Sequence, residues 1–550
     1  MSKSQFPYEL PYNEEKSWRY RVFEILPGFL SWTALALPFI LAFVNINLAA
    51  LLMIAYLMLW FVKAVALNVR ALQGWRLYEE HLEVDWEELL EDVRQHDELK
   101  KWPKWHLSNL KRIERTPNGI KPDDIVHAVI VATWNEAREV LQPTLENIKN
   151  STADPKKMIV LLAYEQRGGE AVEKQAVKLM KEYEGVFMIS RAVKHIDAPG
   201  EVIGKGPNIT YAGRELQRIV ESKGIDPLHV LVTTLDADNR PHAKYFSCLS
   251  YVYAMCHDPI YLSFQPIPMF TNNIWDAPAP MRVIATGNSY WMLIQGLRQH
   301  MLRNFSAHAQ SLAALIKTDF WSKRTIVEDG HQFWRSYFAF EGKHEVIPIF
   351  LPIYQDAVLA VGYRRTLKAQ FVQLRRWAWG ASDIAYVAKY GFFTKHKISK
   401  HDVWFKFLRL VEGHFSWATA PLILAFGALI PWAFHQKDFI ANQLPQVASR
   451  IQTVAMLGIL VTLYLSFKIL PPKPLRYKRH RTFLMVAQWG LLPVTTIVYS
   501  AFAALYSQTR LMFGWYYGKF DVTEKAVKTD TGTVTSHAEQ LIQVEDQNLD

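Results

Sequence analysis

Residues 229–239 read HVLVTTLDADN, an apolar run of strand length that ends in two aspartates separated by one residue. Three similar apolar runs precede it: IVHAVIVAT at 125–133, MIVLLAY at 158–164 and VFMIS at 186–190. Segments of helical character separate these runs. Apolar strands that alternate with helices are typical of a largely parallel sheet. The centre of the chain is therefore predicted to be an α/β domain.

Polar residues follow three of the predicted strands. They are WNE at 134–136, YEQ at 164–166 and DADN at 236–239. In open α/β sheets, ligands bind at the carboxyl ends of the strands, where the loops emerge. The positions of these polar residues predict a ligand site at that edge of the sheet.

The two aspartates of the DADN turn suggest a metal site. Carboxylates at positions i and i+2 of a turn can both face one hard cation, such as Mg²⁺ or Mn²⁺, which then holds and neutralises a diphosphate. Asp236 and Asp238 are the candidate ligands. An acidic turn by itself is more often a solvated loop, so this interpretation depends on the other motifs of the chain.

Two further motifs carry groups suited to chemistry. Glu328 and Asp329, in TIVEDG, offer a general base for an acceptor hydroxyl, or else the N-terminal turn of the helix predicted over HQFWRSYFAFEG. In QLRRW at 373–377, arginine can bind a diphosphate and tryptophan can stack on a sugar ring. That segment also fits an interfacial helix whose Arg and Trp side chains lie among lipid headgroups.

Apolar segments on both sides of the α/β region predict membrane helices. Runs at Ile25–Val44, Leu48–Val62, His414–Phe434 and Ile451–Leu470 approach the length that crosses a bilayer. The strongly basic loop PPKPLRYKRHR at 471–481 and the basic flanks of the first pair predict that the α/β domain is cytosolic. A last apolar run, Phe483–Tyr506, contains Pro493 and is either a full span or a re-entrant segment.

Charge and cysteine content exclude some classes of protein. The formal net charge is +10, but the basic residues crowd beside apolar segments rather than forming a basic stripe, so nucleic acid is not expected as a partner. The two cysteines, Cys248 and Cys256, cannot form a disulfide framework and have no metal-ligand spacing.

Taken in order, WNE, LDADN, VED and QLRRW between membrane segments resemble the membrane-integrated family 2 glycosyltransferases, the group of cellulose, chitin and hyaluronan synthases. The resemblance covers roughly Asp123 to Gly380 by motif. It implies an α/β GT-A domain, the Rossmann-like fold of nucleotide-diphospho-sugar transferases, in the cytosol and inserted between transmembrane α-helices of the plasma (inner) membrane.

The same resemblance implies a metal-dependent, inverting hexosyltransferase. Its donor is a UDP- or GDP-sugar, its cofactor Mg²⁺ or Mn²⁺, and its product a growing β-linked polysaccharide made processively with coupled translocation. Membrane lipids surround it, and export partners are possible. Two alternatives stay open: a transferase that adds a single sugar to a polyprenyl-phosphate or glycolipid acceptor, and a non-catalytic membrane scaffold or transporter.

The resemblance also implies roles for individual residues. Asp329 is the catalytic base, Glu328 beside it is the second catalytic residue, and Asp236 and Asp238 bind the metal. The residues expected to contact donor or acceptor are Thr133, Asn135, Glu136, Glu165, Lys205, Asn208, Asp236, Gln373, Arg376 and Trp377.

Three departures from the family pattern stand out. Val327 replaces the usual threonine before the base, and Tyr164-Glu165-Gln166 replaces the usual aspartate pair after the second strand. The segment FSAHAQSLAAL at 305–315 lacks the acceptor motif of a cellulose synthase. The change to Val327 is expected to leave the catalytic base in place, because both carboxylates remain. The change at 164–166 affects the expected contacts to the nucleoside, and the missing motif at 305–315 leaves the acceptor open.

The sequence divides into five parts. They are an N-terminal transmembrane hairpin (1–72), an amphipathic helical linker (73–122), the glycosyltransferase domain with interfacial helices (123–395), a C-terminal transmembrane region (396–515) and a polar, disordered tail (516–550).

Overall fold

The computed structural model describes residues 6–519, 523–528 and 534–535. Its main sheet has eight strands in the order β3-β2-β1-β4-β7-β6-β8-β5. The strands are β1 Val126–Thr133, β2 Met158–Glu165, β3 Ile189–His195, β4 Val230–Asp236, β5 Arg240–Pro241, β6 Leu262–Met269, β7 Ala309–Ser311 and β8 Glu345–Tyr354. A separate antiparallel pair consists of β9 Val527–Lys528 and β10 Val534–Thr535.

The sheet is mixed, although most of its strands point one way. Strands β3, β2, β1 and β4 are parallel neighbours, and β6 is parallel to β8. The short β7 is antiparallel to both β4 and β6, and β5 is antiparallel to β8. A largely parallel sheet is thus confirmed for six strands, and the two short strands make it mixed. The carboxyl ends of the six strands meet at one edge.

Strand β1 is covered on both faces. Val129 packs in one apolar cluster with Leu145, and Ile130 packs in another with Leu216. Successive side chains of a strand point to opposite faces, so a strand between two helix layers is apolar at nearly every position. This is why VHAVIVAT forms a central strand.

The α-helices surround the sheet and form the apolar layer. They are α1 Trp18–Val44, α2 Ile46–Glu83, α3 Trp86–Arg94, α4 Lys104–Arg115, α5 Arg138–Lys149, α6 Gly169–Glu182, α7 Lys205–Ser222, α8 Tyr245–Ala254, α9 Ala279–Gly296, α10 Leu312–Lys317, α11 Glu328–Ala339, α12 Tyr363–Ala378, α13 Asp383–Phe392, α14 Lys400–Phe426, α15 Leu429–Phe434, α16 Phe439–Ala455, α17 Ile459–Ile469, α18 His480–Ala487, α19 Leu492–Val494 and α20 Phe502–Phe513. The predicted domain boundary at residue 72 falls inside α2.

Within the described residues, four helical stretches are long and apolar enough to cross a membrane: Trp18–Val44, Ile46–Glu83, Phe439–Ile469 and His480–Phe513. The first three contain the predicted runs Ile25–Val44 and Leu48–Val62 and all but the last residue of Ile451–Leu470.

The predicted span His414–Phe434 is not one continuous helix. It is divided between α14 and α15 at Gly427, where an added Cβ would lie 2.7 Å from the Met53 sulfur of α2. Close packing of the two helices therefore coincides with the break. Together the two pieces still reach the far end of α1, because His435 Nε2 lies 2.8 Å from the Ala42 carbonyl oxygen.

The fourth apolar stretch, His480–Phe513, has both of its ends against the α/β domain. At its start, Arg481 donates to the Trp275 carbonyl at 2.7 Å. Its middle is irregular, with a 3-10 turn, the short α19 and a π-helical segment, Thr495–Ala501. Just after its end, Lys519 pairs as a β-bridge with Ile203 of the α/β domain.

Part of the predicted disordered tail is instead ordered on the α/β domain. The Ala526 amide donates to the Leu359 carbonyl at 3.0 Å, and Glu524 accepts from the Val361 amide at 3.2 Å. Backbone pairing with the segment after β8 holds this part of the chain. Residues 520–522, 529–533 and 536–550 of the predicted tail lie outside the described residues.

The N-terminal segment before α1 also packs into the α/β domain. The Glu9 carboxylate lies 2.6 Å from the buried Arg335 guanidinium of α11 and accepts from the Ser322 hydroxyl at 2.7 Å. The chain therefore contacts the α/β domain both before the first apolar helix and after the last one.

Candidate active site

The candidate site begins at the end of β4, where Asp236 projects from the carboxyl edge of the sheet. One of its oxygens lies 2.9 Å from the Lys205 ammonium, and the other accepts from the Ser306 hydroxyl at 2.7 Å. Burial alone would raise the pKa of Asp236, but the charges of Lys205 and Lys525 and the hydrogen bonds outweigh it and hold that pKa well below its usual range.

The backbone around Lys205 explains why a glycine lies on each side of it. Gly204 has a φ of 153°, a backbone conformation that favours glycine, and it directly precedes α7. At Gly206, an added Cβ would lie 2.6 Å from the Ser322 carbonyl oxygen. These two glycines let the start of α7 approach its neighbours and direct Lys205 into the site.

Lys205 joins the end of β4 to the start of α11. Its ammonium lies 3.2 Å from an oxygen of Asp329 and 3.8 Å from one of Glu328. Burial would lower the pKa of Lys205, but the surrounding carboxylates, Asp236 foremost, raise it well above its usual range. The structure thus brings three predicted carboxyl groups, from the DADN and VED motifs, around Lys205, which was itself predicted as a site residue.

The two carboxylates at the start of α11 differ in their surroundings. The N-cap of this helix is Val327, so neither acid is the capping residue. Glu328 is buried, and burial together with the charge of Asp329 raises its pKa to about 8. Asp329 is more exposed, and its other close neighbour is His308, whose Nδ1 lies 3.7 Å away. Asp329 is therefore the more accessible of the two carboxyl groups.

The second aspartate of the DADN turn has a different set of partners. Asp238 lies 2.7 Å from the Lys525 ammonium and accepts from the Asp356 amide at 3.0 Å. Burial, and then the charge of Asp238, raise the pKa of the Asp356 carboxyl to about 7. Crowded carboxyl groups of this kind suit a hard divalent cation, which would relieve their repulsion. Asp236 and Asp238 offer the carboxylate oxygens that Mg²⁺ or Mn²⁺ prefers, and each lies against a lysine ammonium, Lys205 or Lys525, that such a cation would have to displace.

The end of β1 carries three of the predicted donor contacts. The Glu136 carboxylate accepts from the Thr133 hydroxyl at 2.8 Å and from the Trp134 amide at 2.9 Å. Asn135 lies half-buried in the same loop. Glu136 is also one of the charges that act on Lys525. This loop therefore borders the DADN turn.

Asn208 connects the ends of β1 and β2. Its amide nitrogen donates to the Ala163 carbonyl at 3.0 Å, while its buried side-chain oxygen has no partner among the described residues. The side chain positions the strand ends from one turn inside α7.

Glu165, at the end of β2, belongs to a separate ion-pair cluster. It pairs with Arg167, which also lies 3.6 Å from Asp197. Glu165, His195 and Asp197 present ligand atoms close enough together to hold a metal ion. Because the Arg167 guanidinium already lies against the carboxylates of Glu165 and Asp197, these side chains form an ion-pair network. The described contacts of Glu165 do not include Asp236 or Lys205.

The QLRRW motif lies on α12, which packs against α20 at the base of the apolar helices; the Ser507 hydroxyl of α20 donates to the Arg375 carbonyl at 2.6 Å. The Trp377 ring is 6.4 Å from that of Phe270, which directly follows β6. Gln373 accepts from Gln370 at 3.1 Å. Arg376 precedes Trp377 on the same helix. The motif therefore lies between the sheet and the apolar helices.

Four residues of the site were not predicted from the sequence: Ser306, His308, Asp356 and Lys525. Asp356 follows the end of β8, so the rule that polar residues mark strand ends would have found it had β8 been recognised. Lys525 lies in a polar segment whose composition carries no signal. Ser306 and His308 lie in FSAHAQ, which was considered only for a missing motif.

Removal of the Lys205 charge is expected to destabilise the protein. In Lys205→Met, three carboxyl groups lose their shared cation in a buried place, which should cost about 3–5 kcal/mol of folding free energy. The thermal unfolding midpoint in detergent measures this, and Mn²⁺ should restore part of the loss. Lys111→Met, on the exposed face of α4, is the matched control and should change the midpoint little. Equal midpoints for the two variants would contradict the central role of Lys205.

No protein-family model and no curated protein matches this sequence. Several solved structures are similar in fold. The mannosyltransferase PcManGT from Pyrobaculum calidifontis, in complex with GDP-Man and Mn²⁺, has 15% identity and a TM-score of 0.40, over 78% of this chain and 98% of its own. S. aureus TarS 1-349 with UDP-GlcNAc has 9% identity and a TM-score of 0.34, over 75% and 96%. GalNAc-T7 with UDP, GalNAc and Mn²⁺ has 10% identity and a TM-score of 0.33, over 53% and 58%. All three TM-scores are below 0.5, so none of these structures assigns a function to this chain.

Proposed function

We propose that this chain is an inverting, metal-dependent family 2 glycosyltransferase with a GT-A domain at residues 123–395. It would transfer a hexose from a UDP- or GDP-sugar to the end of a growing β-linked polysaccharide at the plasma (inner) membrane. One observation carries the proposal: Lys205 lies 2.9 Å from Asp236 and 3.2 Å from Asp329. A carboxylate suited to a metal and a carboxylate suited to a base therefore share one site at the ligand-binding edge of the sheet.

The donor diphosphate is placed beside the DADN turn. Asp236 and Asp238 would hold the metal, which supplies charge to neutralise the departing nucleoside diphosphate. Arg376 of α12 is proposed to bind the same diphosphate, because its guanidinium geometry suits phosphate oxygens. Thr133, Asn135 and Glu136 are proposed to border the nucleoside. Glu165 is also proposed to contact the nucleoside, and its carboxylate would then bind both the nucleoside and Arg167.

Transfer itself is a single displacement. Asp329 takes the proton of an acceptor hydroxyl, and the hydroxyl oxygen bonds to the anomeric carbon of the donor sugar. The bond from that carbon to the diphosphate oxygen breaks, and its electron pair leaves with the nucleoside diphosphate. Attack from the face opposite the leaving group inverts the anomeric centre, so an α-linked donor gives a β-glycoside.

The acceptor is placed on the membrane side of the site. Trp377 has a flat indole face suited to stacking on a sugar ring, and Gln373 lies one turn before it on α12. Because α12 packs against α20, a sugar held there would leave the site toward the apolar helices. This arrangement supports the proposal that the product is a polymer, which is extended and translocated in steps.

The proposal is tested by incubating the purified full chain with a panel of UDP- and GDP-sugars, with Mn²⁺ or with a chelator. We expect release of nucleoside diphosphate that depends on metal, for one donor above the others, and a carbohydrate product of β-linkage. Donor hydrolysis or transfer that persists fully in the chelator, or binding of every donor without turnover, would contradict it.

The topology of the chain gives a further expected result. We place the α/β domain, the loop 471–481 and Lys519 in the cytosol, and the loop between α15 and α16 outside. Single cysteines at Lys317, Lys437, Lys478 and Lys519, in a background without Cys248 and Cys256, report this with a membrane-impermeant thiol reagent on intact cells.

Only Lys437→Cys is expected to react before the membrane is opened. Lys519 pairs with Ile203 of the α/β domain, so the stretch His480–Phe513 should enter and leave on the cytosolic side. Reaction of Lys519→Cys from outside would mean that this stretch crosses fully.

A further inference from the structure

Outside the candidate active site, basic side chains from three separate elements gather where α2 and α14 meet. Lys63 and Arg70 lie two helical turns apart on α2, Arg409 lies on α14, and Arg298 lies just after α9. We call these four residues the basic cluster.

Only one acid pairs with the basic cluster among the described residues. The Glu412 carboxylate lies 2.9 Å from the Lys63 ammonium and 3.8 Å from the Arg409 guanidinium. It also accepts from the Ser416 hydroxyl at 3.0 Å. One carboxylate that is shared in this way leaves a surplus of positive charge at the junction of α2 and α14.

Arg298 has a weak hydrogen-bond partner. Its guanidinium donates to the Met301 sulfur at 2.8 Å, and thioether sulfur is a poor acceptor for a charged donor. Burial, and then the charges of Arg70 and Arg409, lower the pKa of Arg298. Glu412, the acid already shared by Lys63 and Arg409, is the one negative charge among the described residues that acts on it in the opposite direction.

The surfaces beside the basic cluster are apolar and exposed. Val62 and Val69 on α2 are 60% and 50% exposed, and Leu408 on α14 is 56% exposed. An aromatic ring accompanies two of the cations: Lys63 lies over Trp60 and Arg409 over Phe405. Aromatic and basic side chains together mark the headgroup level of a bilayer. A ligand for this place needs both an anionic head and apolar chains.

We propose that the basic cluster binds the phosphate of an anionic phospholipid from the cytosolic leaflet. The phosphate lies among Arg298, Arg409 and Arg70, and the acyl chains lie along the exposed faces of α2 and α14. Basic pockets between membrane helices on the cytosolic side suit such headgroups, since each arginine can donate to phosphate oxygens. The site is separate from the catalytic residues; it rests on the proposed membrane topology and not on the proposed sugar transfer.

The test uses the full chain in neutral detergent with phosphatidylglycerol or phosphatidylcholine added. Phosphatidylglycerol should raise the thermal unfolding midpoint and stay bound in native mass spectrometry, whereas phosphatidylcholine should do neither. The double variant Arg298→Gln/Arg409→Gln should bind phosphatidylglycerol about 25-fold more weakly, from about fivefold for each charge removed.

The matched control is Lys478→Gln/Arg479→Gln, which removes two exposed cations from the basic loop. It should keep wild-type lipid affinity. In the double variant Arg298→Gln/Arg409→Gln the ion pair between Glu412 and Lys63 remains, so the thermal unfolding midpoint without lipid should stay near the wild-type value. The single variant Arg298→Gln repeats the test with the smallest change. Unchanged phosphatidylglycerol affinity in both test variants, or equal affinity for phosphatidylcholine, would overturn the proposal. An equal shift from inorganic phosphate alone would overturn the assignment to lipid.

Discussion

Asp329→Asn is expected to lower the rate of sugar transfer about 1,000-fold, within the range that a general base contributes. The amide has the size of the carboxylate but cannot take the proton of the acceptor hydroxyl. Donor affinity should change little, because Asp236 and Asp238 remain. Release of nucleoside diphosphate measures the rate, and calorimetric titration with donor and Mn²⁺ measures the affinity. A variant that keeps near wild-type turnover would show that Asp329 is not the base.

The neighbouring carboxyl group supplies the matched control. Burial and the charge of Asp329 raise the pKa of Glu328 to about 8, so at pH 7 this group already carries a proton. Its replacement by glutamine in Glu328→Gln should therefore change turnover by no more than about threefold. Above pH 8 the wild-type group ionises and the variant cannot, so the two pH profiles should separate there. If Glu328→Gln lost most of its turnover at pH 7 while Asp329→Asn kept it, Glu328 and not Asp329 would be the general base.

The strands that carry the predicted site could be found from sequence because each is a continuous apolar run. Strands β1, β2 and β4 lie between helix layers, so their side chains are apolar on both faces and their polar ends stand out. Asp236 and Glu136 could be predicted as site residues because they are polar residues at or just after the end of such an apolar run. Glu328 and Asp329 were placed correctly at the start of a helix, since HQFWRSYFAFEG has helical spacing.

The other half of the sheet gives a weaker signal. LSFQPIPM in β6 and EVIPIFLPIY in β8 contain prolines, which normally argue against a central strand. A bulge between Pro266 and Ile267 accommodates the altered pairing. Asp356, which follows β8, was missed for that reason.

Contacts between distant parts of the chain could not be predicted from local pattern. Lys525 reaches Asp238 because the stretch His480–Phe513 returns to the α/β domain, and apolar composition alone does not distinguish a returning stretch from a crossing one. The break at Gly427 likewise reflects packing against Met53 of another helix. In both cases the deciding neighbour is far away in sequence.

Asp238→Ala is the second change with a large expected effect: turnover should fall about 1,000-fold. A metal that stabilises the leaving diphosphate contributes several kcal/mol, and each 1.4 kcal/mol is a factor of ten in rate. Without the Asp238 carboxylate, Asp236 alone would have to hold the cation. The effect of Mn²⁺ on donor affinity should therefore disappear, which titration with and without Mn²⁺ measures.

Two comparisons separate loss of the metal from loss of local structure at the DADN turn. Asp238 also holds Lys525 at 2.7 Å and the Asp356 amide at 3.0 Å, so the alanine variant removes both contacts. Asp238→Asn keeps an oxygen for the amide but loses the charge, and it should show the same loss of Mn²⁺ dependence. Asp123→Ala breaks an ion pair with Arg94 at the surface and should leave donor binding intact. Donor affinity that still rises with Mn²⁺ in both Asp238 variants would place the metal elsewhere, and the pairing of Asp238 with Lys525 would then be its main role.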